Sequence, residues 1–417
     1  MRKANWRLIP LLALGYGIAY MDRVNISFAA LQMNRDLHFS ASIYGFGAGL
    51  FFVSYAACEV PSNLLLYRVG AKRWFARILF TWGLLAMGMM FVKTPLQFYV
   101  MRFLLGAAEA GFFPGVMFYL ALWFPAQMRA RAISRFYISL PLGSVLMGSI
   151  AGALLDLQGK AGLAGWQWLF LVEGLPAIAL SIVVMIWLPN SPEKASWLTD
   201  RERQWIKRSL TEADVMEVHG GNLVHALRDR RVWQFSLVFL CMLGCSYAYS
   251  FSAPTLLKGL TGFNNRDVGY LVALMSLMGA PVMILNAMHS DRRRERYFHI
   301  VIPYLLVALG YLVGGLSSVP WVAVLALALA QLSFYSLQGP QLALATSFLH
   351  GKSAAVSIAT MNTIGILGGF LGPWLMGLSK DYTGGYQRGL IALAVPSMVC
   401  AGTILMMRTR SKSLRPA

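Results

Sequence analysis

The chain has 417 residues, 57% of them hydrophobic and only 13% charged, and its mean hydropathy of +0.58 excludes an ordinary soluble domain. A formal net charge of +19 does not point to nucleic acid, because no soluble module interleaves basic with aromatic residues. The cysteines (Cys58, Cys241, Cys245, Cys400) lack metal-ligand spacing, and the histidines sit in loops or at span ends, so no haem, metal or other cofactor is expected.

Twelve apolar stretches follow one another, each near the roughly 20 residues that a helix needs to cross a bilayer. They cover 7–31, 44–66, 75–93, 96–122, 133–156, 166–188, 232–256, 267–289, 297–316, 320–346, 354–378 and 387–407. The first is expected to be a span and not a signal peptide, being too long and lacking a small-residue cleavage site. With the N-terminus taken as cytoplasmic, 27 of the 36 lysines and arginines fall in cytoplasmic segments, Lys352 among them. The excess of positive charge therefore predicts cytoplasmic termini. The polar stretch 189–231 predicts a cytoplasmic linker between six-helix bundles at 1–188 and 232–417.

The two halves resemble each other. Gly148, Gly152, Gly165, Gln167 and Pro176 recur 220 residues later as Gly368, Gly372, Gly385, Gln387 and Pro396, while Gly45 and Arg68 recur at 224 as Gly269 and Arg292. A duplicated unit of this kind predicts a site near the bilayer midplane between the halves, exposed alternately as they rock. Glycines at small-xxx-small spacing in the fifth and eleventh spans suit helices that approach closely, for packing or for sliding.

Charges inside spans are costly and mark function or a structural ion pair. Arg102 and Glu109 lie seven residues apart in the fourth span, two helical turns, and so share a face. At 1.5 Å per residue Arg102 lies about 9 Å below the outer edge and Arg23 about 12 Å below it, so the two can meet at one level. Asp22 and Arg23 are adjacent and point about 100° apart, which predicts different partners. Pairing is available as Arg102 with Asp22 or as Arg23 with Glu109. The four residues are either a static salt-bridge cluster or a working site. In the second reading guanidinium receives a substrate carboxylate, Asp22 and Glu109 exchange protons, and anion and proton binding favour each other. No arginine lies within a span of the second half; Tyr247, Gln338, Gln341 and Asn362 are its candidate substrate ligands or, equally, interhelical ties. Glu59 is expected to pair near the cytoplasmic end with Arg129 or Arg131. Glu173 has no assigned role.

Several strings carry a resemblance: YMDRVNISFA, CEVPSNLLL, RFLLGAAEAGFFPG, WFPAQMRARA, GWQWLFLVEGLP and GPQLALATSFL. Over essentially its whole length the chain resembles the major facilitator superfamily and, within it, the anion:cation symporter family. It looks most similar to bacterial permeases for tartrate, phthalate and 4-hydroxyphenylacetate. The resemblance implies twelve helices in two pseudo-symmetric bundles, an inner-membrane location, a monomer, and proton-coupled uptake of a small organic anion. It implies Asp22 and Glu109 as proton-coupling acids, Arg23 and Arg102 in coupling or anion binding, and Tyr55 as a hydrogen-bond donor to the anion. It also favours Asn362 among the polar residues of the second half. In the loop after span two, Arg68, Gly70, Lys72 and Arg73 match the superfamily pattern, but Tyr67 and Asn63 depart from it. In the equivalent loop of the second half Asp291 and Arg292 are kept, as a conformational latch or as ordinary solvated charges. The alternative within the superfamily is an electroneutral anion antiporter. A membrane enzyme or sensor finds no support, since no nucleophile-base set or phosphate loop is present.

Overall fold

The computed structural model describes residues 2–210, 228–347 and 354–413. Residues 211–227 of the interval between the halves, together with Lys352 and Arg415, lie outside the described residues. The helices are α1 (Arg2–Asp36), α2 (Ala41–Val69), α3 (Ala71–Gly88), α4 (Pro95–Glu109), α5 (Phe112–Ala121), α6 (Ala126–Tyr137), α7 (Ser139–Leu155) and α8 (Gly165–Trp187). They continue with α9 (Asp200–Ser209), α10 (Arg230–Thr261), α11 (Asn265–Arg293), α12 (Phe298–Leu316), α13 (Pro320–Ser347), α14 (Ala354–Thr383) and α15 (Gln387–Ser413). The fold is all-α.

Helix starts follow from side chains able to accept from an orphan amide. Ser40 Oγ accepts from Ile43 N at 3.2 Å, Thr94 Oγ1 from Gln97 N at 3.3 Å ahead of Pro95, and Asn264 Oδ1 from Asp267 N at 2.9 Å. At α9, Thr199 and Glu202 cap each other, and Lys3 Nζ donates to Glu202 at 3.0 Å. The Thr199 backbone N–H and Lys3 hold the Glu202 carboxyl low, at about 2, so it stays charged through neutral pH.

Among the described residues eleven spans are long and apolar enough to cross a membrane. The first of the twelve expected is α1, which at 35 residues is long enough but carries Asp22, Arg23, Asn25, Ser27 and Gln32. Of these all but Arg23 are fully buried, so the polarity of α1 is turned inward and away from lipid. The fourth span, expected as one helix over 96–122, is instead two, broken at Ala110 and Gly111.

Buried apolar side chains gather into two clusters, one across α1–α9 that also takes in Phe251, the other across α10–α15. The halves meet along α2 with α14 and α7 with α11. At one end of the bundle Asp381, near the end of α14, accepts from the first two amides of α2, Ala41 N at 3.0 Å and Ser42 N at 2.8 Å. At the same end Arg266 on α11 pairs with Asp156 after α7 at 2.5 Å. Ser144 and Ser276 hydroxyls meet at 2.8 Å between those helices. Gly148 and Gly269 bring the two backbones together: a Cβ on Gly148 would lie 2.7 Å from Gly269 O.

Candidate functional site

The site begins at the break in the fourth span. Glu109 is the last residue of α4, Gly111 takes φ +88, a left-handed conformation open to glycine, and α5 restarts at Phe112. The Ala110 carbonyl, which Pro114 four residues on cannot serve for want of an N–H, accepts from Ser62 Oγ of α2 at 2.6 Å, and Ser62 in turn accepts from Trp74 Nε1 at 3.1 Å. Buried backbone at membrane depth is thereby satisfied, as a broken helix requires. The break fixes Glu109 at a helix end inside the first half, fully buried.

Of the two possible pairings, one forms. Arg23 donates to Glu109 Oε1 through Nε at 2.9 Å and also through Nη2, while Glu109 Oε2 has no partner. The Arg23 guanidinium also lies over the rings of Tyr55, at 5.1 Å, and Phe51, at 5.6 Å. Its side chain is 12% exposed against 1% for Glu109, so Arg23 is the more open member. Asp22 does not pair with Arg102. It accepts from Trp82 Nε1 of α3 at 3.0 Å and from Asn25 Nδ2 at 3.2 Å, behind α1. The 100° between adjacent helical residues sends Asp22 and Arg23 to separate partners, as their spacing predicts.

Arg102 is 1% exposed, donates through Nη2 to Ala48 O at 3.1 Å, leaves Nε unpaired, and lies 5.0 Å from the Phe51 ring centroid. Phe51 thus stands between the two guanidinium groups. Tyr55 is buried beside Arg23, and Tyr247 of α10 packs on Phe52 at 4.3 Å between ring centroids, joining the second half to the same wall.

The other expected residues divide. Asn362 Nδ2 donates to Glu59 Oε1 at 3.4 Å across the halves, and Glu59 Oε2 is unpartnered, so Glu59 meets Asn362 and neither Arg129 nor Arg131. Gln341 is tied inside the second half: Tyr304 donates to its Oε1 at 2.6 Å and its Nε2 contacts Met242 Sδ at 3.1 Å. Gln338 is half-buried, while Arg68, Asp291 and Arg292 are exposed and form no ion pair among the described residues. Asn25, Trp82, Ser62 and the break itself are additions to the expected site. Their signals were Asn25 one turn after Asp22 and the Gly-Phe-Phe-Pro-Gly run after Glu109.

Comparison with known proteins bears on the fold and on the class of activity. Over 416 residues the chain is 42% identical to an Agrobacterium vitis protein named "Putative tartrate transporter", a match spanning 99% of this chain and 92% of that one. It is 39% identical over 397 residues to the "Quinolone resistance transporter" of Acinetobacter baumannii, spanning 95% of this chain and 92% of that one. The crystal structure of a bacterial homologue of the human lysosomal transporter Spinster superposes with TM-score 0.84 at 17% identity, covering 100% of each chain, and shows the fold. These are transporters and not enzymes. With the Major Facilitator Superfamily model matching residues 12–373, the chain belongs to that superfamily of multi-span membrane transporters of small solutes.

Proposed function

We propose that the protein imports a small organic carboxylate, tartrate-like, aromatic or sugar-acid, by proton symport with alternating access between the bundles 1–188 and 232–417. The observation that carries this reading is the Arg23–Glu109 pair. A substrate carboxylate competes with Glu109 for the Arg23 fork, because both are planar anions that a guanidinium can hold with two bonds. Once displaced, Glu109 is a buried carboxylate without its counter-charge, and taking a proton removes that cost. Anion and proton binding then support each other, a positive coupling between two sites. Tyr55 and Tyr247 line the same wall and supply hydroxyl groups to the anion, and Asn362 approaches from the second half. Arg102 acts from behind Phe51 and contributes field rather than direct contact.

In this reading the termini are cytoplasmic, the membrane is the bacterial inner membrane, the protein works as a monomer, and the closed end of the bundle is the outer one. The basic residues of the connecting segments support the orientation. A thermal-shift screen against tartrate, aromatic acids, aldonates, hexuronates and lactate would identify the anion, since binding to the folded state raises apparent stability. In proteoliposomes Glu109→Gln and Asp22→Asn are expected to lose accumulation driven by a pH gradient while keeping anion exchange. Undiminished accumulation in both would replace symport by electroneutral antiport.

A further inference from the structure

Glu173 of α8 is 5% exposed, and neither of its carboxyl oxygens has a hydrogen-bond partner. Such a group is costly to bury as an anion, and the exchange between Arg23, Glu109 and substrate makes no use of it. What surrounds it is informative. Asn25 lies beside Glu173, and Asp22 is within its electrostatic reach. The Asn25 amide spends its Nδ2 on Asp22 Oδ1, and its other end, Oδ1, has no partner. Two acceptors that lack a donor therefore sit together in a dry place. One proton on Glu173 satisfies both, with the carboxylic O–H donating to Asn25 Oδ1.

The helices are held so that this arrangement is fixed. Gly174 and Gly83 bring α8 and α3 into backbone contact: a Cβ on Gly174 would lie 2.7 Å from Gly83 O. Their neighbours Trp82 and Glu173 are thereby brought to the Asp22–Asn25 turn of α1, Trp82 bonding Asp22 and Glu173 lying beside Asn25. From α1, Asp22 is the titratable group facing Glu173; from α4, Arg102 and Glu109 act on Asp22; α3 contributes the neutral Trp82 indole, and α7 carries no ionisable side chain.

We propose that Glu173 is a positioning residue for proton coupling: it keeps its proton, donates to Asn25 Oδ1, and so locks the Asn25 amide into donating to the Asp22 carboxylate. This rests on the symport reading, in which Asp22 exchanges protons. Donation from Asn25 and Trp82 favours the ionised form of Asp22. Without the lock, one of these two bonds is lost, and Asp22 binds its proton more readily.

Two measurements test this. Infrared difference spectroscopy of purified wild-type protein against Glu173→Gln at neutral pH is expected to show a free carboxylic-acid C=O band that the variant lacks. A carboxylate signal instead overturns the proposal, and this readout needs no substrate. In proteoliposomes loaded for tartrate uptake, Glu173→Met and Asn25→Ala are each expected to move the alkaline limb of the pH profile upward by about one unit. Glu173→Gln, whose amide also donates to Asn25, is expected to restore the wild-type profile. A role in packing alone would leave the profile of Glu173→Met unmoved, and a proton carried by Glu173 itself would abolish accumulation in Glu173→Gln; either result overturns the proposal. Absence of any pH dependence in the wild-type protein would instead defeat the symport reading, leaving the infrared result to decide the state of Glu173.

Discussion

Arg23 and Arg102 have the same chemistry and different surroundings, and the difference decides what each can do. Arg23 is partly open and already holds a carboxylate through two nitrogens, so it is the group a substrate can take over. Arg23→Lys keeps the charge but loses the fork and, under the proposed function, is expected to raise the apparent KM for the organic anion about 10- to 100-fold, roughly 1.4–2.8 kcal/mol of binding, with little change in thermal stability. Arg102→Lys is expected to do the reverse and lower the melting temperature, because the charge-assisted bond to Ala48 O, a carbonyl already serving its own helix, is lost at about 1.5–3 kcal/mol. Parallel uptake and thermal-unfolding measurements on the two variants check the division, and equal KM effects would contradict it. The four charged residues and their shared level were legible from helical spacing alone. Which pairing forms was not, because Trp82 and Phe51 decide it, and both approach from other helices.

At the scale of elements the break after Glu109 matters most. Pro114 carries no N–H, so Ala110 O could find no partner four residues on even in a continuous helix, and Ser62 supplies the missing donor. Gly111→Ala forces a side chain into a left-handed conformation, about 1–2 kcal/mol, and drives its Cβ into Ser62, so a clear drop in thermal stability is expected. Ser62→Ala is expected to cost about 1–3 kcal/mol by leaving a buried carbonyl unpaired. If Gly111→Ala matched wild type in the same melting assay, the break would carry no strain. Helix starts were readable, since Ser40, Thr94 and Asn264 announce them. The break was legible only as the Gly-Phe-Phe-Pro-Gly run, and since glycine and proline in an apolar span read equally as packing or a kink, the facing Ser62 is what identifies it.

At the scale of the whole molecule, the two halves touch through paired elements that mirror each other, α2 with α14 and α7 with α11. The internal repeat gave that symmetry; Gly148 and Gly152 of the fifth span and Gly369 of the eleventh stand at its contacts, while Gly365, Gly368 and Gly372 pack against α10 within the second half. The composition of α1 hid its place among the apolar helices, since its polar residues serve the interior. Among the described residues, closure toward the end carrying Ala41 and Asp156 uses an exposed ion pair, a carboxylate on two amides and the Tyr44 hydroxyl donating to Phe251 O at 3.0 Å. An exposed ion pair contributes little, about 0–1 kcal/mol, so Asp381 is the stronger fastening. Asp381→Ala is expected to shift the balance toward opening at that end by about five-fold, the equivalent of a lost cap of about 1 kcal/mol. Spin-label distances between the start of α2 and the end of α14 would report it, and an unchanged distribution would assign closure to the glycine contacts.

That fastening has a consequence for how the protein can vary. Asp381 grips main-chain amides, which every residue except proline supplies, so these two backbone bonds do not themselves depend on which side chains stand at 41 and 42. Ala41 is buried and suits only a small side chain, whereas proline at 41 or 42 removes one of the two amides and should reproduce part of the loss of Asp381. The first half thus contributes backbone to the clasp while the second must keep a single carboxylate, an asymmetry of constraint inside a symmetric architecture.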